Sequence, residues 1–227
     1  MDLQDPPGTA ASPAPASPAS ARERRSATKR AGIVKAATEL FLALGYADTT
    51  MEQVAVRAAV SKPTVYRFFS DKEALFAEVV FETLDRLGRP FRASLQELSK
   101  STNVERDLNR VAHDYITLIT QPSLIGLRRL VIGASAKLPQ IAAAYYQRAP
   151  AETLRALANA LDQLNGSGAL RIKNSHDAAA HFAMLVIGRA LDKSLFCGVQ
   201  PFTAAQLRDQ ARTGVAVFLH AYGPDRP

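Results

Sequence analysis

The sequence predicts an all-α protein, with an N-terminal three-helix unit followed by a larger helical domain. Three observations predict it. Apolar residues recur at helical spacing from Ile33 to Tyr222, and no stretch alternates convincingly as a strand would. Helix starts are marked by a hydroxyl residue with Glu or Gln three positions on: Thr49 or Thr50 with Glu52 or Gln53, Ser70 with Glu73, and Thr203 with Gln206. Gly and Pro fall between the periodic stretches. The expected boundaries are a tail at 1–21, a first domain at 22–84 with its central motif at about 50–69, and a second domain at 85–227.

Residues 1–21 are rich in Pro, Ala and Ser, with little to bury, and read as a disordered tail. Arg22, Arg24, Arg25, Lys29 and Arg30 lead into a helix whose stripe is Ile33, Ala37, Leu40, Phe41 and Leu44, and Gly45 is placed to end it. Cations at a helix start oppose its dipole, which favours reading this run as a basic arm for a phosphate backbone. A second helix starts near Met51 and presents Met51, Val54, Ala55 and Ala58 on one face. After a turn at Ala59 and Val60, Ser61 is placed as an N-cap and Pro63 in the first helical turn. Val65, Phe68 and Phe69 can then face inward, leaving Lys62, Thr64, Tyr66 and Arg67 at the surface. Two short helices with cationic and hydrogen-bonding residues at the start of the second form the pattern of a helix-turn-helix reader of double-stranded DNA. The charge agrees: of a net +7, an excess of five cations, ten Lys or Arg against five Asp or Glu, lies between Arg22 and Lys72. Such an excess favours a polyanion, because neutralising phosphates releases condensed counterions.

From Lys29 to Val80 the order and spacing resemble the DNA-binding region of the tetracycline-repressor (TetR) family. The matching residues are Gly45 and Tyr46, Thr49 and Thr50, Ala58 to Ser61, Tyr66, Phe68 and Phe69, Ser70 to Glu73, and Leu75 with Phe76. Ala59 stands where the family usually has the turn glycine; a left-handed conformation there costs about 1 to 2 kcal/mol. Pro63 stands where a glycine is common. The resemblance implies backbone phosphate contacts from Thr50, Tyr66 and Lys72. The start of the recognition helix reaches base edges, which puts Lys62, Pro63 and Thr64 at the groove, with Arg67 beside them, and Ser61 completes the DNA-binding set.

A connector helix from Asp71 to Leu87 carries Leu75, Phe76, Val79, Val80 and Leu84 on one side, and Gly88 and Pro90 are expected to interrupt or bend it. Beyond it, Asn103 caps a helix that stops before Pro122, Ser123 opens another, and two short helices follow at Leu138–Arg148 and Thr153–Leu164. The loop at 165–174 separates these from two last helices, roughly Ser175 to Gly198 and Thr203 to Tyr222. Their apolar stripes are broad, and in the TetR family the corresponding helices pair with a second subunit in a four-helix bundle, which implies a homodimer. On that basis Phe218 is expected on the dimer face. The stretch from Arg128 to Pro150 resembles the AefR-like subgroup of ligand domains.

An apolar content of 47% is enough for a sizeable core. One cysteine, Cys197, excludes an intrachain disulfide framework. The sequence has neither a long apolar run nor an apolar signal core, so no membrane partner and a cytoplasmic location are expected. Catalytic and metal motifs are missing as well: His176 and His181 stand five apart, about 140° round a helix, and no HExxH, CxxC, phosphate loop or nucleophile elbow occurs. The expectation is no enzyme, no catalytic or metal residues and no cofactor. Two functions remain: a ligand-responsive homodimeric repressor on a palindromic operator, or a ligand-independent DNA-binding or architectural dimer. The first needs an enclosed pocket within residues 104–190 for an unknown small-molecule effector, and Tyr115, Arg128, Tyr145, His181 and Phe182 are its candidate lining.

Overall fold

The computed structural model describes residues 18–198 and 201–224, so the expected tail lies outside the described residues up to position 17. Among the described residues there are helices and turns and no strand. The first helix, α1 (Pro18–Asp48), already includes positions 18–21. It changes direction at Gly45, whose φ of 81° is left-handed and suited to glycine. Next come α2 (Met51–Arg57) and α3 (Lys62–Phe68). Phe41 of α1 meets Phe76 edge-on at 5.1 Å, and Tyr46 meets Phe76 at 4.9 Å. Fully burying one such ring contributes about 1.5–3 kcal/mol.

The connector α4 (Lys72–Leu98) runs through both Gly88 and Pro90 without ending. A proline inside a helix costs about 3 kcal/mol. Packing outweighs that cost, because Leu84, Phe91, Leu95 and Leu98 bury one stripe on both sides of Pro90. The start of α4 also differs from expectation: its N-cap is Asp71, which accepts from the Ala74 N–H at 2.8 Å, while the Ser70 hydroxyl donates to the Asp71 carboxylate. The carboxylate is the stronger acceptor of the two neighbours.

α5 (Val104–Ile119), capped by Asn103 as expected, packs against α4. α6 (Pro122–Ala134) opens one residue before Ser123, with Pro122 at the first position, where its missing N–H has no partner to lose. Then α7 (Pro139–Tyr146), a π turn (Gln147–Ala151) and α8 (Glu152–Gly166) follow without a break, in place of two separate short helices. Pro150 lies inside the π turn, where the shifted hydrogen bonding accommodates a residue without an N–H.

Asn174 caps α9 (Ser175–Phe196), and a Thr203–Gln206 capping box opens α10 (Ala204–Tyr222). α9 and α10 cross closely at Gly214, where a Cβ would lie 2.9 Å from the Leu185 carbonyl oxygen. Their buried contact is Phe182 edge-on to Phe218 at 5.2 Å. α10 also packs on α5, and α6 packs on α1, so the two halves share a continuous core.

Candidate nucleic-acid interface and ligand cavity

The reader begins with two threonines that the sequence left interchangeable. Thr50 is the cap: its hydroxyl oxygen accepts from the Gln53 N–H at 3.2 Å, and its own N–H donates to the Gln53 side chain at 2.7 Å. The Thr50 hydroxyl still has its proton to donate, and the Glu52 carboxylate attracts it and is lowered by it. Thr49 is buried, and its hydroxyl donates to the Gly45 carbonyl at 2.8 Å. Between α2 and α3, Ala59 takes φ 52°, the left-handed conformation a glycine would hold without strain. The Val60 N–H bonds the Ala55 carbonyl and the Ala59 N–H bonds that of Val56, a Schellman closure that requires this conformation.

In α3, Ser61 occupies the N-cap position without capping through its side chain; its hydroxyl is 2.8 Å from that of Thr64. Pro63, Tyr66 and Arg67 are exposed, with the Arg67 guanidinium 5.0 Å from the centre of the Phe68 ring. Lys62 is exposed and ion-paired with Glu52 of α2, and its amine lies 5.8 Å from the Tyr66 ring centre. The pair holds the Glu52 carboxyl below its usual range and raises the Lys62 amine. To reach a base, Lys62 must exchange this partner.

Lys72, expected at the phosphate backbone, is engaged within the chain. Its amine donates to the carbonyls of Tyr46, Ala47 and Thr49 at 2.9, 3.1 and 2.9 Å and stands 4.5 Å from the Tyr46 ring centre. An ammonium has three donors, and all three are committed here. In the basic arm, Arg30 is tied to Glu78 at 2.7 Å and lies over Phe69. Arg22, Arg25 and Lys29 are exposed on α1.

In the second domain a cavity of about 70 Å³ lies between α4, α5, α6 and the π turn. Tyr115, Arg128 and Tyr145 of the expected lining come together there, along with α4 residues Leu87, Phe91 and Arg92, which lie before the region expected to hold the pocket. Phe91 stacks on Tyr115 at 4.8 Å. Burial pushes the Tyr115 hydroxyl up to about 12, against the opposing charge of Arg128. Burial likewise raises Tyr145, with Arg128 opposing. The structure does not bring His181 and Phe182 to this cavity. His181 is exposed and shares a 2.6 Å hydrogen bond with the Tyr222 hydroxyl, and Phe182 is fully buried between α9 and α10. Phe91 and Arg92 carry no local signal of this role, since it is the continuation of α4 past Pro90 that brings them beside Tyr115 and Arg128.

On α9 and α10, Met184, Leu185 and Val217 remain 59%, 38% and 49% exposed and share a shallow groove. Phe218 is fully buried within the chain and so does not lie on an outer face. Among the described residues no group of His, Cys, Asp and Glu could hold a metal, and no helix is long and apolar enough to cross a membrane.

Residues 33–79 match the bacterial regulatory proteins of the tetR family, and residues 106–224 match the C-terminal domain of the AefR-like transcriptional repressors. A TetR-family transcriptional regulator from Mesorhizobium loti superposes with a TM-score of 0.82 at 32% identity, over 88% of this chain and 99% of that one. The flavonoid-responsive regulator FrrA superposes with a TM-score of 0.67 at 26% identity, over 88% of this chain and 100% of that one. The HTH-type transcriptional regulator YhgD of Bacillus subtilis is 52% identical over 52 residues, which are 23% of this chain and 27% of YhgD. The chain thus spans only about a quarter of that curated relative's length.

Proposed function

The chain belongs to the TetR family of transcriptional regulators, and from that premise we propose that it is a ligand-responsive repressor acting as a homodimer on a palindromic operator in the cytoplasm. One observation carries this reading: α4 holds the reader at one end and walls the cavity at the other. Lys72 in its first turn binds the loop before α2, and Leu84, Leu87 and Phe91 line the cavity. α6 adds a second link, since Leu124 and Arg128 face the cavity while a Cβ on Gly126 would lie 3.2 Å from Leu42 of α1.

A cavity of 70 Å³ is smaller than the roughly 300–1,000 Å³ of ordinary ligand sites. An effector therefore enters by moving α4, α6 or the π turn. Two readers fit a palindrome only when spaced by about one turn of DNA, roughly 34–36 Å. A tilt of α4 changes that spacing, and an effector that prefers the tilted state weakens operator binding by its differential affinity, typically about 1–3 kcal/mol. That FrrA is flavonoid-responsive supports a ligand role for this cavity by likeness.

The test starts with a randomised-site selection on the full chain, followed by titration of the selected duplex with and without ligands that raise the thermal midpoint. The expected sites are inverted repeats, and such a ligand should lower operator affinity by about 5- to 150-fold, with DNA weakening the ligand equally. Inverted repeats bound equally with and without every stabilising ligand would instead favour the ligand-independent dimer.

A further inference from the structure

The cavity carries an unbalanced charge. Three arginines, Arg92, Arg128 and Arg148, reach it against one carboxylate, Glu152, and that carboxylate is paired with Arg155. Two of the arginines are occupied: Arg92 donates to the Asp85 carbonyl at 3.2 Å, and Arg148 lies 4.2 Å from the centre of the Phe81 ring. Arg128 is different. No ion pair engages it among the described residues, and its Nε is buried without a hydrogen-bond acceptor. The Tyr145 hydroxyl, on a side chain only 7% exposed, donates to no acceptor, and Arg128 is near enough to oppose the rise in its pKa by charge and hydrogen bonding. Opposite these two donors the wall is apolar, built from the stacked Phe91 and Tyr115 rings with Leu87, Leu118 and Ala156.

We propose that the effector is a small amphipathic monoanion, an apolar body bearing one carboxylate or ionised phenol, whose anionic end is held by the Arg128 guanidinium and the Tyr145 hydroxyl. This rests on the reading of the cavity as the effector site. A partly buried cation with no acid paired to it is left uncompensated by a neutral ligand and repels a cationic one, while an anion supplies the missing charge and acceptors together. Because burial raises its pKa, the Tyr145 hydroxyl keeps its proton at neutral pH and can donate it to an anion.

The test is calorimetric titration of the full chain with octanoate and 4-nitrophenolate as anions, 1-octanol as the neutral match and octylammonium as the cationic one. At least one anion should bind about tenfold or more tighter than octanol, and octylammonium should bind more weakly than octanol. Which anion binds tells carboxylate from phenol. Arg128→Met should erase the preference for octanoate or nitrophenolate while octanol binding persists. Tyr145→Phe, which removes only a hydroxyl and keeps the ring in place, should lower anion affinity several-fold and leave octanol unchanged. Should Arg128→Met fail to fold, Tyr145→Phe and Arg128→Lys, expected to keep the preference for an anion, carry the test. If octanol binds wild type as tightly as both anions, or the preference survives both Arg128→Met and Tyr145→Phe, the anion assignment is wrong and the cavity remains an effector site. If none of the four probes binds, the effector-site reading falls with it.

Discussion

Lys72, the first residue of α4, donates to the carbonyl oxygen of Thr49 at 2.9 Å, so the connector helix grips the residue just before the cap of α2. With the bonds to Tyr46 and Ala47, this places a cation on three carbonyls of the segment that follows the Gly45 bend. Lys72→Met should therefore destabilise the protein by about 1–3 kcal/mol, read from the denaturant midpoint. Operator affinity should fall because Thr50 is less well placed, while the dependence on salt keeps its slope. An unchanged midpoint with a slope reduced by about one would make Lys72 a phosphate contact after all.

Glu52 holds Lys62 in the free protein, and a base or phosphate must compete with it. Glu52→Gln should raise operator affinity several-fold by freeing the amine and removing a negative charge beside it. Lys62→Ala should shift preference at one base pair per half-site by about 1–3 kcal/mol. Both are measured with a randomised-site library, and identical preferences for wild type and Lys62→Ala would take Lys62 off the base edges.

Ala59 sits at φ 52° on an exposed turn, strained by its Cβ. Ala59→Gly relieves about 1–2 kcal/mol of strain and gives back about 0.4–1 kcal/mol through a more flexible unfolded chain. The expected net gain is roughly 0.5–1 kcal/mol, with no change in fold. A loss of stability in chemical unfolding would mean that the turn relaxes around alanine.

Asp107 is nearly buried, accepts from the Ser101 hydroxyl at 2.7 Å, and is bonded by Arg106 at 3.0 Å. Arg106 first, and then Ser101, hold its carboxyl below the ordinary 3.8. A pKa that is lower folded than unfolded gives stability that is complete above 3.8 and is lost as pH falls through the lower, folded value. Asp107→Asn should flatten the acid limb of a stability–pH curve below that point. If the wild-type and variant curves run parallel there, the pairing contributes nothing to folding.

The local signals were the readable ones. Thr203 with Gln206 and Asn103 depend on residues within a turn of one another, and each cap is found in place. Contacts between distant segments were not readable. Polarity marks Lys72 and Lys62 as surface residues, but it does not say that one meets carbonyls more than twenty residues back and the other Glu52. The run of α4 past Pro90 has the same origin, because the packing that sustains it comes from other helices. Of the candidate lining, Tyr115, Arg128 and Tyr145 meet at the cavity, whereas Phe182 belongs to the contact with Phe218 and His181 to a bond with Tyr222.

That contact decides how the proposed dimer is tested. Phe218 is fully buried against Phe182 and lies 4.8 Å from Tyr222, so a charge there would remove core packing within one protomer and report on folding instead of association. Leu185 and Val217 line the exposed groove and leave apolar surface on α9 and α10 that a second copy would cover. The double variant Leu185→Asp, Val217→Asp should sediment as a monomer with the helical content of wild type, lose tight binding to an inverted repeat and keep weak binding to a half-site. Phe218→Asp should instead lower the unfolding midpoint sharply, since losing a buried ring costs about 3–5 kcal/mol before the buried charge is added. A double variant that stays dimeric and binds the full repeat would place the interface on another face, and the spacing mechanism would then need a different pivot.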